Sequence, residues 1–114
     1  MNDTIFDKIL TGDIPSTKVY EDDIVYAFED INPIAPIHVL VIPKKRLERF
    51  SDFIETDNVD IGAFMSSVAK VASSLGLDSK GYRVVFNNGD EGGQEVEYLH
   101  AHILGGKKLT FTKP

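Results

Sequence analysis

A chain of 114 residues, 42% hydrophobic and 26% charged, has the length and balance of one compact globular domain. It has no cysteine, which excludes a disulfide framework, a thiolate metal site and a cysteine nucleophile, and fits a reducing cytoplasm. Its formal net charge of −6 argues against nucleic acid as a partner, and no apolar run approaches the roughly 20 residues of a membrane span, so a soluble cytoplasmic protein with no membrane partner is expected.

The N-terminal MNDTIFDKIL carries acids early and does not read as a signal peptide. Thr4-Ile5-Phe6-Asp7 has the form of a capping box and Gly12 is a stop signal, so a short helix is expected over about residues 4–11. Residues 17–21 and 24–29 read as strands separated by Asp22-Asp23. Asn32-Pro33-Ile34-Ala35-Pro36 is a stiff loop, because two prolines forbid regular structure there. His38–Ile42 is β-branched and apolar and is closed by Pro43, the pattern of a buried strand. Lys44, Lys45 and Arg46 read as a solvated basic turn.

From Asn58 to Leu75 the apolar residues Ile61, Phe64, Met65, Val68, Ala72 and Leu75 recur at helical spacing, and Gly76 ends the helix. Tyr82–Phe86 is the next expected strand, NNGDEGG a turn-rich loop, and Val96–Leu104 the last strand. The tail Lys107–Pro114 has no clear pattern. This order predicts an α+β domain spanning residues 1–114, with two helices and a mainly antiparallel sheet of about five strands.

The last strand carries two of the three histidines. Side chains alternate along a strand, so Tyr98, His100, His102 and Leu104 share one face, while Leu99, Ala101 and Ile103 share the other. Two imidazoles about 7 Å apart at Cα then point the same way. Imidazole can attack, carry protons, donate hydrogen bonds or ligate metal. A closed zinc site wants about four ligands, so a metal reading would need His38 and a carboxylate to converge on this pair. The loop Asn87–Gln94 is rich in glycine, which lets backbone N–H groups approach an anion, but it lacks the basic residues that would make it a strong phosphate signal.

The segments GGQEVEYLHAHILGG, INPIAPIHVLVIPKK and TIFDKILTGDIPSTKVYEDD together resemble the histidine triad (HIT) family of nucleotide-binding proteins, in particular its Hint-like branch of purine nucleoside phosphoramidate hydrolases. The resemblance runs in register from about Asp3 to Phe111. It implies a HIT-like fold whose sheets join across a homodimer. It also implies a purine nucleotide or nucleoside phosphoramidate in a cleft, attack on phosphorus by a histidine, and no required cofactor or metal.

Carried over by position, the resemblance makes His100 the nucleophile and His102 a contact to the phosphate oxygens. His38 becomes a support for the cluster. Asn87, Gly93, Gln94 and Glu95 fall in the phosphate region, and Asp30 falls where a carboxylate holds the ribose hydroxyls. Ile5, Phe6, Ile9, Ile14, Phe28, Ile31 and Leu40 match the base pocket, although the same residues serve equally as core. Phe111 lies near an aromatic position of the family's tail.

The family motif reads His-x-His-x-His, and here Tyr98 replaces its first histidine. In the family the backbone carbonyl at that position orients the nucleophile, so a tyrosine can still do so, but a phenol with a pKa near 10 is expected to weaken a proton relay. Glu95 replaces a serine common in the family. A carboxylate about 5 Å from a phosphate would cost roughly 3 kcal/mol at an effective dielectric near 20, unless it turned to solvent or met a basic leaving group. Two alternatives therefore stand beside the hydrolase: a purine-nucleotide-binding protein with little or no turnover, and a dinucleoside polyphosphate hydrolase.

Overall fold

Thr4 caps helix α1 (Ile5–Thr11): its hydroxyl accepts the Asp7 N–H, and its own N–H donates to the Asp7 carboxylate at 2.7 Å. This reciprocal pair satisfies backbone donors that the first turn leaves open. The computed structural model describes residues 3–111; residues 112–114 of the tail lie outside it.

Strands β1 (Lys18–Glu21), β2 (Val25–Glu29), β3 (Ile37–Pro43), β4 (Arg83–Val85) and β5 (Ala101–Gly105) form one antiparallel sheet in the order β1-β2-β3-β5-β4. Helix α2 (Asn58–Ser74) runs between β3 and β4 in sequence. The fold is α+β, as expected. Asp22 makes the first turn by accepting the N–H groups of Ile24 and Val25 at 2.7 and 2.8 Å. No described helix is long and apolar enough to cross a membrane.

Strand alternation divides the interior into two clusters. Val25 and Ala27, Val39 and Val41, and Leu99, Ala101 and Ile103 pack with Phe64, Val68, Val71 and Ala72 of α2. The opposite face carries Phe28, Leu40, Ile42 and Tyr98 against Phe6 and Ile9 of α1. One face of the sheet is thus closed by the long helix. The other is covered only in part by a seven-residue helix, and this leaves room for a cavity.

Four expectations change. The last strand is shorter than Val96–Leu104, because Leu99 N–H donates to the Leu47 carbonyl at 2.7 Å instead of joining a ladder. The strand at Tyr82–Phe86 pairs only over Arg83–Val85. On α2, Met65 is 40% exposed while Ser67 and Val71 are buried, so the buried stripe is rotated from the one read from apolar spacing. The basic turn is exposed at Lys44 and Lys45, as expected, with Glu21 and Asp60 as their partners, but Arg46 is partly buried against Asp7. A short 3-10 helix at Phe50–Glu55, whose Phe53 packs near Phe64 and Phe86, has no counterpart in the sequence reading.

The sequence Gly105-Gly106 is required by space. A side chain at Gly105 would begin 3.0 Å from Leu77, and one at Gly106 would begin 2.9 Å from Pro36. Gly106 also has φ +92, a conformation L side chains rarely adopt.

Candidate active site

Sheet register assembles the histidines. Leu40 and His102 are partners between β3 and β5, and His38 pairs with Leu104. His38 and His102 are therefore diagonal neighbours on one face, a separation that long or aromatic side chains span. His38 Nε2 lies 2.9 Å from His102 Nδ1. The His100 and His102 rings are 5.0 Å apart, and the Phe6 ring meets His100 edge-on at 5.0 Å. His100 precedes β5, but the alternation carries through the residues before it: Tyr98 packs with the α1 cluster, Leu99 with the α2 cluster, and His100 meets Phe6 of α1.

The backbone sets the protons on all three rings. Ile34 N–H donates to His38 Nδ1 at 3.2 Å, so the neutral His38 carries its proton on Nε2. That proton is donated to His102 Nδ1, which leaves His102 with its own proton on Nε2. His100 donates Nδ1–H to the Tyr98 carbonyl at 2.7 Å, so its Nε2 carries a lone pair. Among the described residues no buried side-chain nitrogen or oxygen lacks a partner, so the His100 Nε2 opens onto the cavity.

The cavity has a volume of about 790 Å³. Ile5, Phe6, Ile9, Ile14, Phe28 and Leu40 line its apolar part, and Ile31 stands at its rim, 88% exposed. His38, His102 and His100 form its floor, with Asn87, Gly93 and the exposed Glu95 beside them. Asp30 lines it as well, holding the Asn32 N–H at 2.8 Å and standing 3.3 Å from His38 Nε2.

Two expected site residues stand apart. Gln94 is 8% exposed, and its amide ties the loop together: it accepts Gly89 N–H and donates to the Glu48 and Val96 carbonyls. The Tyr98 phenol is 1% exposed and donates to the Pro43 carbonyl. Burial, and then the charge of Asp7, push its pKa up to about 12. Tyr98 reaches His100 through its backbone carbonyl and not through its phenol. The sequence reading missed Arg83, Val85 and Lys107, which also line the cavity. Alternation puts Arg83 and Val85 on one face, but only the pairing of Val85 with His102 shows which face that is.

All three imidazoles are neutral at neutral pH. Burial lowers the pKa of His38 against the pull of Asp30, and burial lowers that of His100. His102 is pushed down to about 4, first by burial and then by His100 and His38. Each folded value thus lies below the ordinary 6.5 of an unfolded histidine. Below that value the unfolded chain binds more protons, so stability is complete above it and falls with acidification toward the folded values, by up to about 1.4 kcal/mol per pH unit per group. Denaturant midpoints should therefore drop between about pH 6.5 and 5. Carboxylates such as Asp7, held below the ordinary 3.8 by Arg46, make their loss at lower pH. A flat midpoint across that window would refute the buried neutral cluster.

Asp30, His38 and His102 bring ligand atoms within 4.8 Å of one another, the convergence that a metal reading requires. The Ile34 N–H opposes it. With Nδ1 of His38 held as an acceptor, Nε2 keeps its proton and offers no lone pair to a cation.

The chain as a whole is similar to known proteins. A family model described as "HIT domain" matches residues 11–109. The chain is 42% identical over 107 residues to the purine nucleoside phosphoramidase of Escherichia coli, covering 94% of this chain and 90% of that one. Among solved structures, a histidine triad protein from Clostridium difficile is 46% identical with a TM-score of 0.85, covering 99% of this chain and 100% of that one. A HIT family hydrolase from Clostridium thermocellum is 39% identical with a TM-score of 0.88, covering 98% of this chain and 97% of that one.

Proposed function

This chain belongs to the HIT domain family, and from that premise we propose that it hydrolyses the P–N bond of purine nucleoside phosphoramidates through a nucleotidyl-His100 intermediate. The observation that carries the proposal is the bond from His100 Nδ1–H to the Tyr98 carbonyl, which leaves a neutral imidazole with its Nε2 lone pair on the cavity.

In the first step His100 Nε2 forms a bond to phosphorus and the P–N bond to the amine breaks, the amine leaving with a proton drawn from solvent, which the attacking water gives back in the second step. In the second step water attacks phosphorus, the bond to His100 breaks, and the nucleotide is released. Covalent catalysis divides one hard displacement into two easier ones. His102 Nε2–H is a fixed donor for the charge that develops on the phosphorus oxygens, with its tautomer held by His38. The apolar part of the cavity suits a purine face, and the Asp30 carboxylate suits ribose hydroxyls. No step needs a metal or cofactor. The resemblance of the relatives to this chain and the name of the Escherichia coli protein support the purine and phosphoramidate parts of the reading.

Incubation with an adenosine phosphoramidate bearing a fluorescent amine should release the amine. No release, with tight purine-nucleotide binding retained, would make the chain a nucleotide-binding protein instead.

A cytoplasmic homodimer completes the reading. The support for the dimer is the open sheet edge at β4, where Val84 and the preceding Tyr82 are 38% and 36% exposed. Light scattering should report twice the chain mass of 12.6 kDa, and a monomer at micromolar concentration would remove this part of the proposal.

A further inference from the structure

Asp7 and Arg46 have no part in the chemistry above, yet they join the two elements that pack on His100. Arg46 donates to both carboxylate oxygens of Asp7, at 2.8 and 3.1 Å, from a turn 39 residues away. It also donates to the Glu97 carbonyl at 3.4 Å, and its guanidinium lies 5.2 Å from the centre of the Tyr98 ring. Asp7 sits on α1, next to Phe6, whose ring meets His100 edge-on. Glu97 and Tyr98 form the backbone whose carbonyl holds His100 Nδ1–H.

A planar guanidinium binding a carboxylate in two places fixes orientation as well as distance. The Arg46 and Asp7 side chains are only 26% and 18% exposed, so water competes weakly for this pair. The Tyr98 ring, present where the family has a histidine, supplies the aromatic face on which Arg46 rests. The Tyr98 hydroxyl, anchored on the Pro43 carbonyl, fixes the far end of the same ring.

We propose that the Asp7–Arg46 pair is a positioning device for His100: by tying α1 to the Glu97–Tyr98 backbone it keeps the Tyr98 carbonyl on Nδ1 and the Phe6 ring against the imidazole. Both residues are positioning residues, since neither lines the cavity. The inference rests on the reading of His100 as nucleophile only for its kinetic consequence; the tautomer it controls is a property of the protein alone.

The deciding experiment is nitrogen-15 spectroscopy of the imidazoles in the full chain near pH 7.5, which reports the protonated nitrogen without any substrate. The wild type should show a single Nδ1–H form at His100. Arg46→Ala, once confirmed as folded, should show a mixture of Nδ1–H and Nε2–H forms, and Arg46→Lys should lie between the two. Where the chain turns over a phosphoramidate, kcat of Arg46→Ala should fall by about tenfold to a hundredfold, the usual scale for a small misplacement of a reacting group. Should Arg46→Ala not fold, Arg46→Lys and Asp7→Asn are judged by the same spectrum. A folded variant that keeps a single Nδ1–H form at His100 overturns the proposal, whatever its turnover. Absence of turnover in the wild type would refute the hydrolase and leave the spectrum decisive.

Discussion

Replacing His100 by alanine should lower release of the amine from an adenosine phosphoramidate by about ten-thousandfold or more, because the covalent route is lost with its nucleophile. No other imidazole can replace it. His38 offers its lone pair to a backbone N–H, and His102 Nδ1 accepts from His38, so neither has a free lone pair aimed at the cavity. Binding of a purine nucleotide should persist in the variant, since the apolar wall from α1, β2 and β3 is untouched. The measurement is single-turnover amine release beside a nucleotide titration. Equal release from wild type and variant would sink the covalent mechanism. The effects of His100→Ala and His102→Ala should also fail to add, because a donor to phosphorus oxygens has little to stabilise once attack is lost.

Ile103→Ala should lower stability by about 2–5 kcal/mol, and the melting temperature by about 10–20 °C. Ile103 is fully buried and pairs with Val39 on one side and Val84 on the other. It belongs to the cluster closed by α2, where truncation leaves a hole that a packed helix and sheet refill only in part. Its immediate neighbour His102 faces the cavity instead. Alanine at His102 and at Ile103 therefore separate the faces of one strand: at a temperature well below its transition, the alanine variant at Ile103 should still carry out the reaction. Thermal unfolding followed by circular dichroism gives the first quantity. A shift of only a few degrees would mean that the core around β5 relaxes far more than a close-packed interior should.

Much of this architecture is readable from local rules. The capping box at Thr4 and Asp7 and the stop at Gly12 bound α1 as expected, because a cap depends on residues three apart. The two-face division of the last segment also survives, although only Ala101–Gly105 is strand. Alternation follows from strand geometry, and Leu99 still packs in the cluster under α2 although its N–H bonds to Leu47. What local rules miss lies at long separation. His38 and His102 are 64 residues apart, and Arg46 and Asp7 are 39 apart. A run of three basic residues looks like a solvated turn throughout until Arg46 is seen against Asp7. Gln94 looks like a ligand for a phosphate until its amide is seen holding its own loop.

Residue order alone therefore set the element types, the pairing of two imidazoles on one face, and the family to which the pattern belongs, since each depends on spacings of a few residues. The proton on each imidazole was beyond its reach. Those positions follow from the Ile34 N–H and the Tyr98 carbonyl, which meet the rings only after β3 and β5 are in register. The reach of Tyr98 was decided in the same way: its phenol turned to the Pro43 carbonyl because burial leaves a polar group no other stable choice than a partner.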